Sequence, residues 1–188
     1  MTLTADSAGF PTLTTERLHL RQITQGDAEA IKAIFGSPDV LRFLNQPPVD
    51  TLAKAIDLID WLNGCYRDRQ EPQWGIMLRG EDRLVGTCGA YRWERADRHV
   101  DIGFHILPAL WRKGYATEAA RAIIGWCFEH LDVHRIQADC TAGNIASERT
   151  LLKCGFKLEG IWRESCWEHN RFVDIKQFGL LRQEYSFE

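Results

Sequence analysis

The stretch HILPALWRKGYATEAA, from His105 to Ala120, decides the fold. It begins as the end of an apolar strand, passes through a short turn and opens a helix with a basic pair, a glycine and small residues. The start of a helix presents unpaired backbone N–H groups and the positive end of the helix dipole. Gly114 has no side chain, so a bulky phosphate can approach the backbone closely. The stretch therefore predicts a strand–turn–helix unit that binds a phosphorylated ligand.

Two common nucleotide-binding patterns are absent from this turn. It lacks GxxxxGK[ST], the pattern of nucleoside-triphosphate P-loops, and it lacks the dinucleotide pattern GxGxxG. What remains is a strand, the turn Arg112-Lys113-Gly114-Tyr115-Ala116 and a helix. The sequence thus indicates an anion site of another kind.

The composition is that of a soluble globular protein. The 188 residues are 45% hydrophobic and 26% charged, and they suffice for one domain, 1–188, with a sizeable core. The net charge of −3 argues against a general nucleic-acid binder. No apolar stretch is long enough to span a bilayer, and MTLTADSAGF has no secretory pattern, so we expect no membrane partner. We expect residues 1–11 to form a flexible N-terminus.

The six cysteines are scattered and form no CxxC pair. Several of them sit inside apolar periodic segments. This usage predicts reduced, mostly buried thiols in a cytoplasmic protein, with no structural zinc and no other metal.

The spacing of apolar residues predicts strands and helices along the chain. Predicted strands cover residues 15–24, 74–78, 84–91, 99–107, 134–140, 156–162 and 172–181, the last two forming a hairpin with a long connection. Predicted helices begin at 28, near 52, at 115 and at 145. Short links favour antiparallel pairing, and the strand–helix–strand unit from His99 to Cys140 favours a parallel crossover. The prediction is a single-domain α/β (α+β) fold, with a mixed, mostly antiparallel sheet of about six to seven strands and helices on both faces.

Four local patterns resemble those of the GNAT N-acetyltransferase superfamily, within it the branch that includes the ribosomal-protein alanine N-acetyltransferases. They are TERLHLR at 15–21, DIGFHI at 101–106, WRKGYATEA at 111–119 and NIASERTLLKCGFKLEG at 144–160. They resemble the opening strand, the central strand, the acetyl-CoA pyrophosphate loop, and the second cofactor-side helix with its following strand. One departure is Trp111, which stands where the superfamily often has Gln or Arg. This replacement affects a side-chain contact with the cofactor more than it affects the binding of the diphosphate by backbone N–H groups.

The resemblance implies a set of acetyl-CoA contacts. The pantetheine arm would pair with Ile106 and Leu107 at the end of the central strand and would contact Asn144, while Ser147 would lie near the sulfur. Pro108 has no N–H and cannot continue a ladder, which suits a strand that splays from its neighbour. The diphosphate would lie on the amides of Arg112, Lys113, Gly114, Tyr115, Ala116 and Thr117.

Acetyl transfer needs a neutral amine, a stabilised oxyanion and a proton for the thiolate. By the family pattern, an amide near Leu107 donates to the oxyanion and Ser147 is a candidate proton donor or relay. Asp101, two before Gly103, is the candidate base or amine-binding group, acting through water; the alternative is an edge-of-sheet salt bridge. For His105 a structural role is favoured. Glu118 is read as structural, since its carboxylate must point away from a bound diphosphate.

These expectations add up to an acetyl-CoA-dependent acyltransferase. A free α-amine has a pKa of about 7.7–8.0 and a lysine about 10.4, so a protein N-terminus needs less help from a base. The prediction is an N-acetyltransferase acting directly on a protein N-terminal α-amine. The alternatives are small amines (an antibiotic, a polyamine or an amino acid) and a catalytically silent acetyl-CoA-binding module. The expected partners are acetyl-CoA and the amine, in a monomer or homodimer without nucleic acid.

Overall fold

One mixed sheet runs through the part of the chain that the computed structural model describes, residues 2–5 and 9–186. Its nine strands in those residues are β1 (Thr2–Ala5), β2 (Pro11–Thr14), β3 (Leu18–Gln22), β4 (Gln73–Leu78), β5 (Leu84–Glu94), β6 (His99–Ile106), β7 (Arg135–Thr141), β8 (Lys157–Glu168) and β9 (Arg171–Leu181). They lie in the order β1-β2-β3-β4-β5-β6-β7-β9-β8, and each neighbouring pair is antiparallel except β6 and β7. The predicted single-domain, mostly antiparallel α/β fold is confirmed, and the strand count was too low.

Helices cover both faces of this sheet. They are α1 (Ala28–Phe35), α2 (Pro38–Leu41), α3 (Leu52–Arg69), α4 (Tyr115–His130) and α5 (Ile145–Lys153). Consecutive residues of a strand point to opposite faces, and β5 shows the division. Leu84 packs into the core under α1 and α3, whereas Val85 packs into the core under α4. No helix among the described residues is long and apolar enough to cross a membrane.

The additional strands lie at the N-terminus. The predicted flexible segment covers residues 1–11, of which residue 1 and residues 6–8 lie outside the described residues. Within the rest, β1 pairs with β2 from Thr2–Thr14 to Ala5–Pro11. Each of these four-residue strands, TLTA and PTLT, contains a single leucine, which is too few large apolar residues to establish an alternating pattern.

The C-terminal hairpin is tighter than the sequence predicts. Strands β8 and β9 continue to Glu168 and from Arg171, so that only His169 and Asn170 connect them. Both residues have positive φ, 49° and 60°, as a type I′ hairpin turn requires. The predicted long connection was wrong because register shifts in β8, up to Cys166, break the alternation there.

The parallel pair β6–β7 is short and positions the site. The two strands pair only from His99 with Arg135 to Asp101 with Gln137. Beyond Asp101 and Gln137, β6 continues to Ile106 and β7 continues to Thr141, but the two strands no longer pair with each other. The sheet therefore opens between these strands, as the sequence predicts for a strand that ends at Pro108.

Candidate active site

The opening between β6 and β7 leads into a cleft of about 1360 Å³. The cleft is bounded by the starts of α4 and α5, by α2 and the loop after it, and by the β8–β9 hairpin. Wall residues from these elements are Phe43, Asn45, Asp101, Ile106, Gly114, Thr117, Thr141, Asn144, Ser147, Cys166 and Glu168.

The anion-binding loop predicted from the sequence has the expected backbone. Gly114 is the N-cap of α4 with φ 85°, in the left-handed region, and Arg112 also has a positive φ of 64°. The first amides of a helix have no partner within the helix. Tyr115, Ala116 and Thr117 begin this helix and line the cleft, as does Arg112. Of the six predicted loop residues, only Lys113 lies outside the cleft wall.

The loop is braced from the β2–β3 turn through Glu118. Its carboxylate accepts hydrogen bonds from the Thr15 hydroxyl (2.6 Å), the Arg17 backbone N–H (2.8 Å) and Arg17 Nε (2.6 Å). Arg17 also donates to the Lys113 carbonyl (3.0 Å) and stacks over the Tyr115 ring. Burial alone would raise the pKa of Glu118, but these hydrogen bonds hold it below its usual value. Glu118 thus points away from the cleft, as expected, and Arg17 is a structural partner that sequence patterns alone do not identify.

Trp111 ties the loop to the central strand. Its indole N–H donates to the Ile106 carbonyl over 2.6 Å. This residue replaces the Gln or Arg of the family pattern, so here the position fixes the end of β6 and presents no charged or amide group to a ligand. The bond also occupies the carbonyl of Ile106.

The backbone direction of β6 revises one predicted role. The Leu107 N–H donates to the Val85 carbonyl over 2.9 Å, which continues the β5–β6 ladder. It is therefore not free to donate to an oxyanion, and Leu107 is absent from the cleft wall. Residues of an antiparallel strand alternate between bonding their neighbour and facing away from it. The N–H groups of Phe104 and Ile106 accordingly point into the opening towards β7.

The start of α5 is organised by Asn144. Its Oδ1 accepts from the Ser147 backbone N–H over 3.2 Å, so Asn144 is the N-cap and only its amide N–H groups remain for a ligand. Burial raises the pKa of Cys140 to about 11, and a hydrogen bond with Ser147 opposes that rise. Lys176 donates to Glu148 over 2.7 Å and fixes this helix to β9. The predicted pair Asn144 and Ser147 both line the cleft.

Asp101 is buried and ion-paired. Arg92 approaches its carboxylate to 2.8 Å, and Gln137 donates to it over 3.3 Å. Burial raises the pKa of Asp101, and Arg92 acts in the opposite direction. Arg92 reaches it from a bulge in β5, where its φ is 51°. The structure therefore contains the salt-bridge arrangement that the sequence left open, at a position that also lines the cleft.

The space at Gly103 is filled by an aromatic ring. A Cβ at this position would lie 3.3 Å from Tyr91 Cε1, so the glycine makes room for the Tyr91 ring. Burial raises the pKa of Tyr91 to about 12. His105 packs edge-on against Phe35 and contacts Thr87, and burial lowers its pKa to about 4. A neutral, packed His105 agrees with the structural role favoured for it.

Comparison with known proteins identifies the family of this chain. The chain belongs to the GNAT family: the family model described as "Acetyltransferase (GNAT) domain" matches residues 17–157. It is 35% identical to "Uncharacterized N-acetyltransferase YoaA" of Bacillus subtilis, over 92% of this chain and 98% of that one. It is 27% identical to "Putative ribosomal N-acetyltransferase YdaF" of Bacillus subtilis, over 77% and 76% of the two chains. The protein is an acetyl-CoA-dependent N-acetyltransferase.

Solved structures show the same fold. The GNAT-family acetyltransferase of Bacillus anthracis superposes with a TM-score of 0.83 at 26% identity, over 92% of this chain and 99% of that one. Spermidine N-acetyltransferase of Vibrio cholerae, in complex with CoA and spermine, superposes with a TM-score of 0.79 at 20% identity, over 91% and 99%. Among the described residues, no cluster of three or more His, Cys, Asp or Glu side chains is arranged to hold a metal ion.

Proposed function

We propose that the enzyme transfers the acetyl group of acetyl-CoA directly to a protein N-terminal α-amine. The observation that carries this proposal is the opening between β6 and β7, which is lined by the start of α4 and by the buried carboxylate of Asp101. A thioester held in that opening meets the anion site on one side and the acceptor on the other.

The cofactor placement uses the backbone of both flanking elements. The diphosphate lies on the amides of residues 112–117, where the unpaired N–H groups and the dipole of α4 favour an anion. The pantetheine arm pairs with Ile106, whose N–H faces the opening, and contacts the free amide of Asn144. Leu107 supports this strand end through its bond to Val85 and does not touch the arm.

The reaction follows from that placement. The neutral amine nitrogen attacks the thioester carbonyl carbon, and the carbonyl oxygen becomes an oxyanion. The N–H group of Phe104, which faces the opening, takes over the oxyanion role expected of Leu107, because the N–H of Ile106 is used by the pantetheine arm. The C–S bond then breaks, the nitrogen loses a proton, and the CoA thiolate gains one.

Asp101 and Ser147 are assigned to the two proton transfers. Asp101 lines the cleft with a pKa raised by burial, which suits a base that acts through a water on the ammonium form of the acceptor. Ser147 lies at the start of α5, where the sulfur is expected, and passes a proton to the thiolate through its hydroxyl. Its backbone N–H is already held by Asn144, which fixes the position of the side chain.

The acceptor is assigned from its chemistry and from relatives. An α-amine is appreciably neutral near pH 7, so a water-relayed Asp101 suffices for it. YdaF, named as a putative ribosomal N-acetyltransferase, supports a protein acceptor. A polyamine is the second candidate, because three carboxylates that line the cleft have no ion-pair partner within 4 Å among the described residues: Asp39, Glu94 and Glu168.

Thiol release from acetyl-CoA tests this function. The acceptors are an alanine-initiated peptide, the same peptide with a blocked N-terminus, and spermidine. Release with the free peptide alone supports the proposal, and release with spermidine alone supports the polyamine reading. Cofactor binding without release with any amine would support a silent binding module.

The cellular setting is proposed from the thiols. All six cysteines are free, and five of them are buried. Free buried thiols suit a reducing compartment, and we assign the enzyme to the cytoplasm on that basis. A monomer or homodimer is the expected assembly.

A further inference from the structure

Four carboxylates are buried in the described residues, and three of them have an arginine partner. The three ion pairs, with the distance from the arginine nitrogen to the nearest carboxylate oxygen, are Arg21–Asp27 (2.8 Å), Arg69–Glu71 (3.5 Å) and Arg92–Asp101 (2.8 Å). The fourth is Glu168, which is 5% exposed. No Lys, Arg or His of residues 2–5 or 9–186 comes within 4 Å of its oxygens.

The hydrogen-bond partner of Glu168 is a neutral hydroxyl. The Thr141 hydroxyl reaches both of its oxygens, at 3.3 and 3.1 Å, and this single proton cannot satisfy both. Burial and the Glu168 carboxylate together raise the pKa of the Cys166 thiol, and the Asn45 amide contacts the same sulfur at 3.8 Å. A buried charge without a counter-charge is costly, so a carboxylate kept in this state has a use other than stability.

Glu168 lines the cleft beside Thr141, on the face of the sheet that carries Asp101. Strand residues two apart share a face, so Thr141 is on the same face of β7 as Asp139 and Gln137. Gln137 contacts Asp101 across the β6–β7 pair, which places Thr141 and Asp101 on one face of the sheet. His169, next to Glu168, contacts the Leu41 carbonyl at the end of α2. Glu168 therefore lines the cleft where the hairpin meets the end of α2.

We propose that Glu168 binds the ammonium form of the acceptor amine and is a specificity-determining residue of this enzyme. This inference rests on the proposed function, in that a primary amine enters the cleft. The acceptor supplies the cation that the three other buried carboxylates obtain from an arginine. Thr141 holds the carboxylate in place, and Asp101, already paired with Arg92, is left to the proton relay.

The kinetic test compares Glu168→Gln with the wild-type enzyme. Glutamine keeps the size of the side chain and an oxygen for Thr141, but it removes the charge. Thiol release is measured with an alanine-initiated tripeptide amide and with spermidine. Loss of one charged contact predicts an increase of about 10- to 100-fold in KM for the amine, with KM for acetyl-CoA unchanged. Glu164→Gln, an exposed carboxylate on the same strand, is the matched control and should match wild type.

The outcomes separate this inference from the proposed function. An unchanged KM for the amine, or an equal rise in KM for acetyl-CoA, would overturn the role of Glu168. If the wild-type enzyme releases no thiol with either amine, the proposed function fails. Thermal unfolding then distinguishes a functional from a structural role of Glu168. An unpaired functional charge predicts that Glu168→Gln keeps or raises Tm, while Asp27→Asn, which breaks an ion pair, lowers it. A Tm lowered as much in Glu168→Gln as in Asp27→Asn would make Glu168 a structural residue.

Discussion

Arg17 Nε donates to the Glu118 carboxylate over 2.6 Å, and these two residues are 101 positions apart in the chain. The contact joins the start of β3 to the first turn of α4. Because Arg17 also donates to the Lys113 carbonyl, the same side chain fixes the loop whose amides face the cleft. The shape of the cofactor site is therefore set in part by a residue outside it.

Glu118→Ala is predicted to weaken acetyl-CoA binding. It removes three hydrogen bonds to one carboxylate and leaves Arg17 without its partner, so the loop loses its brace. We expect the unfolding free energy to fall by about 1–2 kcal/mol and Kd for acetyl-CoA to rise by about 5- to 10-fold. Calorimetric titration measures the second effect. Glu16→Ala, on an exposed neighbour, is the control, and equal affinity in both variants would refute the brace.

Gly114→Val is predicted to abolish tight binding of acetyl-CoA. A Cβ at Gly114 meets the Arg17 guanidinium at 3.3 Å, and the residue has φ 85°, which costs a side-chain-bearing residue about 1–2 kcal/mol. Gly80→Val is a matched control, since Gly80 has φ 83° and open space around it. Both variants should lose similar stability, and only Gly114→Val should lose affinity. Similar affinities in the two variants would argue against the anion loop.

Asp101→Asn is predicted to lower activity most at low pH. A base matters when the acceptor is mostly protonated, and an α-amine has a pKa near 8. We expect kcat/KM to fall by about 10- to 100-fold near pH 6 and by a few-fold near pH 9. Asp132→Asn, which disrupts an exposed pair with Arg98, serves as the control. A loss of equal size at every pH would assign Asp101 to packing.

The Arg21–Asp27 pair is predicted to make stability depend on pH. Burial alone would raise the pKa of Asp27, but hydrogen bonds from Arg21 and Thr24 outweigh it and hold this pKa below its usual 3.8. A lowered folded-state pKa means that the contribution is complete above 3.8 and disappears as the pH falls through the lower, folded-state value. Asp27→Asn should therefore cost about 3 kcal/mol near pH 7.

Urea unfolding of wild type and Asp27→Asn at several pH values measures this contribution. The difference between the two proteins should be constant at neutral pH and shrink in acid. A difference that grows as the pH falls would contradict the assignment.

Local features of this fold were predictable from the sequence, and long-range ones were not. The cap at Asn144, the helix start at Gly114 and the splay at Pro108 depend on residues close together in the chain, and all three are present. The direction of the Leu107 N–H depends on the register between β5 and β6, and the alternation of apolar and polar residues along one strand does not determine that register. The partners of Glu118 and the missing partner of Glu168 depend on residues brought together by folding.

Acetylation of an α-amine by this enzyme is tested with a single peptide that offers two kinds of amine. The enzyme is incubated with acetyl-CoA and a peptide that carries both a free N-terminal alanine and an internal lysine. Tandem mass spectrometry then locates the acetyl group. We expect acetylation of the α-amine with the lysine unmodified. Acetylation of the lysine side chain, or of neither amine, would contradict it.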